Sequence, residues 1–196
     1  MTDAVTAAAP ALDQPEQGTP PRAGAYATTA RRIARGALAG LVAGATASFA
    51  MDRLQAGLSS LSGAGSGSGG DSDDQPATSK AADRVAVAAT GHSIAAPAKP
   101  LAGQWVHYTV GTMLGLGYGL AAEFAPRITS FQGSALGLGT AVLLDEGAVP
   151  ALGLGQPPWR APASSHLYSL ASHMMFGVVA ELVRSRVDST LAPADT

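Results

Sequence analysis

The sequence predicts an all-α membrane protein, a bundle of four helices that each cross a lipid bilayer. Only 13% of the 196 residues are charged, against about 25% in soluble domains. Four stretches contain no Asp, Glu, Lys or Arg, and each is apolar and close to the roughly 17 to 25 residues that a helix needs to cross a bilayer. The alternative is a soluble helical protein whose alanines raise its hydropathy. The four stretches are Gly36–Met51, Pro100–Ala122, Ile128–Leu144 and Ala161–Ala180.

Composition limits the function classes. The chain has no cysteine, which excludes disulfides, thiolate metal sites and cysteine nucleophiles. Its net charge of -2 gives no reason to expect a nucleic-acid partner. The sequence contains no phosphate-binding glycine loop, no serine nucleophile elbow and no His-Glu-x-x-His pattern, so we expect neither catalytic residues nor a cofactor.

The chain divides into two tails and one membrane domain. Residues 1–30 are rich in Ala, Pro, Thr and Gln without a hydrophobic period, which predicts a disordered tail. The membrane domain is expected at residues 31–186, and residues 187–196 form a second tail. Its helices are expected at about 33–51, 103–125, 129–148 and 164–183, with a long loop at 52–101.

The first predicted helix follows Arg31, Arg32 and Arg35. This pattern has an alternative interpretation as a cleaved secretory signal, with a twin-arginine pair and a small-residue site near Ala45 to Ala47. The long tail before the arginines and the regularly spaced glycines after them favour a packing helix.

Basic residues predict the orientation. If the chain crosses four times, Arg127 and Arg184 lie on the same side as the arginines before the first helix, and the positive-inside rule makes that side cytoplasmic. Both termini are then cytoplasmic and the loop at 52–101 is outside. Within this loop, residues 63–74 have the composition of a flexible linker, and Thr78 to Thr90 predicts a short amphipathic helix on the outer membrane surface.

Glycines recur every four residues in three predicted helices. Small residues at this interval let two helix backbones approach closely within a membrane. We therefore expect the helices to pack through these positions. They are Gly36, Gly40 and Gly44 in the first helix, Gly111, Gly115 and Gly119 in the second, and Gly133 and Gly137 in the third; Gly177 is the corresponding packing position of the fourth helix.

The two halves of the predicted domain resemble each other. The segment YGLAAEF that ends the second helix matches FGVVAEL, which ends the fourth. In the first and third helices, Gly36 and Gly40 match Gly133 and Gly137. The pattern indicates two duplicated helical hairpins with parallel topology, a repeat that occurs in transporters without establishing transport.

Ionisable residues fall into two predicted layers. Because such groups are costly inside a membrane, they are candidates for function. Neighbouring Glu and Arg favour structural ion pairs in the inner layer, whereas the outer layer is open to ion pairing, proton sensing or relay, or a metal site, for which no local motif exists. The outer layer contains His107, Asp145, Glu146, His166 and His173; the inner layer contains Glu123 and Glu181 with Arg127, Arg184 and Arg186.

Several motifs occur together between Trp105 and Arg186: WVHY, YGLAAEFAP, LLDEGAVPALGL, PPW and FGVVAE. In this order they resemble the YagU-like family of bacterial inner-membrane proteins, which is defined by a domain of unknown function. The resemblance implies an inner-membrane location and a contribution to acid resistance, and it transfers no catalytic residue. The motif positions to test first are His107, Glu123, Asp145, Glu146, Pro150, Trp159, His173 and Glu181.

We therefore expect a multi-pass inner-membrane protein without enzymatic activity that supports acid or envelope stress tolerance. Its partners are the lipid bilayer and, for an active outer layer, a proton or small ion. One alternative is a proton-coupled carrier or channel subunit, for which four short helices favour a homo-oligomer. Another is a membrane-embedded metal-dependent enzyme.

Overall fold

The computed structural model of the protein describes residues 23–62 and 75–191, and this part of the chain is helical without strands. The predicted all-α class is confirmed. A π-helical segment at Ala141–Ala148 joins α4 and α5 into one continuous rod. The helices are α1 (Ala23–Ser62), α2 (Ala77–Thr90), α3 (Lys99–Phe124), α4 (Ser134–Thr140), α5 (Val149–Ala151) and α6 (Ala163–Leu191).

Helix α1 occupies the centre of the bundle. It packs against α3 on one side and against α6 on another, while α4 packs on α6 and α2 lies against α3. The centre is built from small side chains, since Ala43, Ala47 and Ala180 are all 0% exposed. Small side chains at the contacts place the helix axes close together.

Several helix ends differ from the predicted ones. Helix α1 continues past Met51 to Ser62, because Asp52 is paired with side chains of α3 instead of ending the helix. Helix α6 likewise continues past residue 183 to Leu191. Of the predicted tails, residues 23–30 are helical and residues 187–191 belong to α6, whereas residues 1–22 and 192–196 lie outside the described part. The predicted linker at 63–74 also lies outside it.

The third predicted helix begins later than expected and is distorted. Phe131, Gln132 and Gly133 all have positive φ, so the chain turns before α4 begins. Further on, Pro150 lacks an N–H group and its ring would clash with the carbonyl of Glu146 in a regular α-helix. The preceding π-helical turns, in which the N–H of Val149 bonds to the carbonyl of Leu144, avoid this clash.

Helix α2 connects the two halves of the bundle. The Ser79 hydroxyl donates to the carbonyl of Lys99 at the start of α3, at 3.3 Å. The Arg84 guanidinium donates to the carbonyls of Leu152 and Gly153, which follow α5. This helix therefore ties the first residues of α3 to the turn after α5.

Asp83 organises the turn between α2 and α3. Its carboxylate accepts hydrogen bonds from the Ser93 hydroxyl at 2.7 Å and the Ile94 N–H at 2.8 Å, and Lys99 Nζ lies 3.5 Å away. These hydrogen bonds, with Ser93 first, hold the pKa of Asp83 below its ordinary value. The lowered pKa means that the charged form favours the folded turn.

We expect the turn to loosen at acidic pH. A carboxylate with a lowered pKa stabilises the fold at pH values above its unfolded pKa of about 3.9, and this contribution is lost as pH falls through the folded pKa. The protection of the amides at residues 91–98 against hydrogen exchange, relative to an unstructured chain at the same pH, should therefore fall below about pH 4. Asp83→Ala should lower this protection already at pH 7 and leave the α3 amides near Gly115 unchanged. Equal exchange in both proteins at pH 7 would contradict this role of Asp83.

Candidate functional site

The first hairpin, α1 with α3, is joined by a backbone contact that only glycine permits. A Cβ atom on Gly40 would lie 2.3 Å from the carbonyl oxygen of Gly115, and one on Gly115 would lie 2.4 Å from that of Gly40. Real Cβ atoms do not approach backbone atoms this closely. The same applies at the neighbouring steps of the contact, Gly36 with Gly119 and Gly44 with Gly111.

The second hairpin, α4 with α6, repeats this contact. A Cβ on Gly133 would lie 2.0 Å from the carbonyl oxygen of Gly177, and one on Gly137 would lie 2.5 Å from that of His173. Gly133 and Gly177 are the residues that the internal sequence match pairs with Gly36 and Gly119. The two hairpins therefore share both a sequence pattern and the contacts that it forms.

One end of the bundle, which we call the arginine end, holds an ion-pair cluster around Glu123. This residue is 8% exposed, and its carboxylate accepts two hydrogen bonds of 2.9 Å from Arg35 Nε and Nη2. Arg32 Nε lies 3.6 Å from the same carboxylate. Arg35 Nε is also 2.8 Å from Asp188 Oδ1. The cluster thus connects α1, α3 and α6.

A second carboxylate at the arginine end is paired within α6. Glu181 accepts hydrogen bonds of 2.7 Å from Arg184 Nε and Nη2, and one of 2.8 Å from the Tyr118 hydroxyl of α3. Arg127, predicted in the same layer, lies in the 3-10 turn at Pro126–Thr129 and forms no ion pair with a described residue. With three arginines and three carboxylates, the two clusters balance in charge.

At the opposite end, which we call the histidine end, the residues of the predicted outer layer form separate pairs. His107 Nε2 lies 3.2 Å from Asp52 Oδ1, so it joins α3 to α1. The other two pairs join α6 to the π-helical segment. They are His166 Nδ1 with Glu146 Oε1 at 2.6 Å and His173 Nδ1 with Asp145 Oδ2 at 3.4 Å.

The hydrogen-bond partners distinguish His166 from the other two histidines. His166 faces acceptors with both ring nitrogens, because its Nε2 lies 3.1 Å from the carbonyl oxygen of Pro158. Two acceptors are satisfied only by the doubly protonated, positively charged ring. His107 and His173 each direct only one nitrogen to acceptors, namely Nε2 of His107 and Nδ1 of His173. Among the described residues, the second nitrogen of each of these two rings has no hydrogen-bond acceptor.

Sequence reasoning missed four of the charged partners: Arg32, Arg35, Asp52 and Asp188. A signal for two of them exists, because Arg32 and Asp52 extend the four-residue spacing of Gly36, Gly40, Gly44 and Ser48 in both directions. They therefore lie on the α1 face that contacts α3. Arg35 and Asp188 lie outside this spacing, so only the packing of α1 against α6 brings them together.

Two features of the described residues concern metal binding and membrane crossing. Within the described ranges, no group of three or more His, Cys, Asp or Glu side chains is placed to hold a metal ion. By length and composition, one described helix could cross a membrane, at Ala27–Leu61. The geometry is thus that of separate His and carboxylate pairs, a chemistry suited to binding and releasing protons.

Comparison with known proteins identifies the family. No curated protein and no solved structure matches the chain. A family model described as a protein of unknown function (DUF1440) matches residues 85–182, which is half of the sequence and extends from α2 into α6. The match includes all three histidines of the pairs and confirms the resemblance that the motifs indicated. The chain therefore belongs to the DUF1440 family of proteins of unknown function.

Proposed function

We propose that this chain is a multi-pass protein of the bacterial inner membrane whose histidine end supports tolerance of acid or envelope stress. It crosses the bilayer four times, through α1, α3, the rod formed by α4, the π-helical segment and α5, and α6. Both termini are cytoplasmic, the arginine end faces the cytoplasm and the histidine end faces outward. The lipid bilayer is its principal partner.

The observation that carries the membrane location is an inverted distribution of side-chain size. The contacts between helices are made by Gly and Ala, whereas large apolar side chains point away from the bundle. Every crossing element contributes one such side chain: Phe49 is 55% exposed, Met113 56%, Leu143 71% and Leu182 52%. Water would oppose so large an apolar surface, while lipid favours it and permits helix contacts through small residues.

The spacing of charges along α1 supports the same location. Sixteen residues separate Arg35 from Asp52 without a charge, which corresponds to about 24 Å of helix. This is slightly less than the roughly 30 Å of hydrocarbon, and the long arginine side chains can reach the headgroups from inside. Trp105 and Trp159, which are 70% and 82% exposed near the histidine end, suit the aromatic belt at a membrane surface.

The acid-related role follows from the chemistry of the outward-facing pairs. An unperturbed imidazole changes its charge near pH 6.5. Among the described residues, His107 and His173 each keep one ring nitrogen free of an acceptor, and a proton bound there would add positive charge beside Asp52 and Asp145. The additional charge strengthens contacts that join α1 to α3 and the π-helical segment to α6. The histidine end would thus be held together more firmly in acid.

Membrane location and topology can be measured directly. After expression in a bacterium, the full chain should stay in the membrane pellet through alkaline carbonate extraction and should dissolve only with detergent. Reporter fusions after residues 22 and 191 should both report the cytoplasm, and a fusion within residues 63–74 should report the outside. A soluble product, or reporters on opposite sides at the two ends, would contradict the proposed location.

The stress role requires a separate measurement. A strain without the gene should survive mild acid less well than a strain that expresses it, and His107→Gln with His173→Gln should fail to restore survival although the protein accumulates normally. Arg127→Gln, at the opposite end, is the matched control and should restore it. Full rescue by the double histidine variant would contradict the role of the histidine end.

The alternative of a proton-coupled carrier or channel subunit predicts a further result. The seam between α1 and α6 is filled, because Phe176 is 2% exposed and its neighbours Ala43 and Ala47 are 0% exposed. A path for ions within one chain would have to open this seam, so a pore requires several chains. Proton flux in liposomes that contain the purified protein, together with its mass in detergent, would favour this alternative.

A further inference from the structure

The two hairpins differ at one place where their internal match would predict similar residues. Counting along α6 from Gly177, His173 corresponds to Gly115 of α3, because each lies four residues before a matched glycine. Counting from Gly137, Asp145 corresponds by sequence to Ser48 of α1. The second hairpin therefore carries a histidine and a carboxylate at steps where the first hairpin carries glycine and serine.

His173 lies about midway between the start of α6 and Glu181. Eight residues, or about 12 Å, separate it from Glu181 at the arginine end, and ten residues, or about 15 Å, separate it from Ala163 at the start of α6. Its position as the counterpart of Gly115, in the middle of the α1 and α3 contact, agrees with this depth. His173 is 8% exposed. Placing an ionisable pair at such a depth in a membrane costs free energy, so the pair is a candidate for a function.

The contacts of His173 determine which nitrogen can take up a proton. Its Nδ1 atom lies 3.0 Å from the carbonyl oxygen of Ser169 and 3.4 Å from Asp145 Oδ2. Because both neighbours only accept hydrogen bonds, Nδ1 carries the hydrogen in the neutral ring and Nε2 keeps its lone pair. The Ser169 hydroxyl donates to Asp145 and keeps that carboxylate in place.

The charged residues near His173 carry a net negative charge. Helix α6 packs against α1, which has no charged residue between Arg35 and Asp52, and against α4, which has none. The π-helical segment contributes the negative charges of Asp145 and Glu146. On α6 itself the nearest charged residues are His166, whose geometry favours the charged ring, and Glu181, which is paired with Arg184. Tyr168, which lies nearer, is neutral in its ordinary protonated form. The sum at Asp145, Glu146 and His166 is one negative charge.

We propose that Asp145, Ser169 and His173 form a proton-binding site inside the membrane, built only in the second hairpin. A hydronium ion or a protonated buffer that enters from the histidine end gives one proton to Nε2 of His173, and water or the buffer base leaves. One N–H bond forms, and the net charge of the group rises from minus one to zero, which lipid favours. This inference rests on the proposed membrane location and identifies the residue that responds to acid.

Nitrogen NMR of the full chain tests the site. In the protein labelled with ¹⁵N-histidine and placed in phospholipid nanodiscs, His173 should be neutral with hydrogen on Nδ1 at pH 8 and should become doubly protonated in a single step as the pH falls to 5. His173→Gln should remove this titration and identify its signal. A neutral ring with hydrogen on Nε2, a ring charged already at pH 8, or a ring still neutral at pH 5 would overturn the proposal.

Variants of the carboxylates separate this site from the other pairs. In Asp145→Asn the group is neutral before proton uptake, so the charged fraction of His173 at pH 6 should fall at least threefold. Asp52→Asn, which removes the carboxylate paired with His107 in the first hairpin, is the matched control and should leave that fraction unchanged. An unchanged fraction in Asp145→Asn would overturn the site. The membrane location is tested separately by extraction, so a soluble chain with the expected titration would contradict that location alone.

Discussion

Replacing Gly115 by valine should destabilise the folded bundle more than any other single substitution considered. A Cβ at this position would lie 2.4 Å from the carbonyl oxygen of Gly40 and 2.5 Å from the Cα of Gly44, so α1 and α3 would have to separate along their whole contact. Overpacking of a core costs about 1 to 3 kcal/mol when side chains can move aside. Here the obstacle is backbone, and we expect a loss of about 3 kcal/mol or more. Unfolding by SDS in detergent micelles measures the difference.

Gly117 provides the matched control on the same helix. A Cβ there meets nothing within 4 Å, so Gly117→Val introduces the same side chain without the clash and should change the stability by less than about 1 kcal/mol. In the second hairpin, Gly177→Val and Gly139→Val form a corresponding pair, because a Cβ on Gly177 would lie 2.3 Å from the carbonyl oxygen of Gly133, while one on Gly139 meets nothing within 4 Å. Similar losses at Gly115 and Gly117 would show that the backbone contact is unimportant.

Removing Arg35 should have the next largest effect. Arg35→Met takes away both hydrogen bonds to Glu123 and the cation beside Asp188, and it leaves a carboxylate that is 8% exposed with only the more distant Arg32 as a partner. Breaking a buried ion pair by removing one member costs about 3 to 5 kcal/mol when the other charge stays buried without compensation. Because Arg32 remains near Glu123, we expect a loss of about 3 kcal/mol at most. The SDS unfolding assay should detect this loss.

The double variant distinguishes a paired charge from a general loss of packing. Arg35→Met combined with Glu123→Gln removes both charges, so it should be less destabilising than the sum of the single variants by about 1 kcal/mol or more. Arg127→Met removes an arginine at the same end that pairs with no described residue, and it should be close to neutral. Additive effects of the two substitutions would contradict the ion pair between Arg35 and Glu123.

The contacts between helices could be predicted from the sequence, because they follow the four-residue spacing of glycines along each helix. Glycines four residues apart lie on one face of a helix, and this is the face through which α1 meets α3 and α4 meets α6. The ends of the helices were harder to predict from the sequence. A charged residue such as Asp52 ends a hydrophobic stretch in the sequence. The helix nevertheless continues, because His107 and Gln104 of α3 pair with the Asp52 carboxylate.

The sequence by itself determined the helical class, the glycine faces and the presence of ionisable residues near both ends of the bundle, since each of these follows from spacing along one helix. Only the tertiary structure decided the pairing. Arg35 and Glu123 are 88 positions apart, and the pairing of His173 with Asp145 depends on π-helical turns that avoid a clash before Pro150. The physical reason is that a hydrogen bond acts over about 3 Å, whereas the rotation and offset of whole helices decide which side chains come that close.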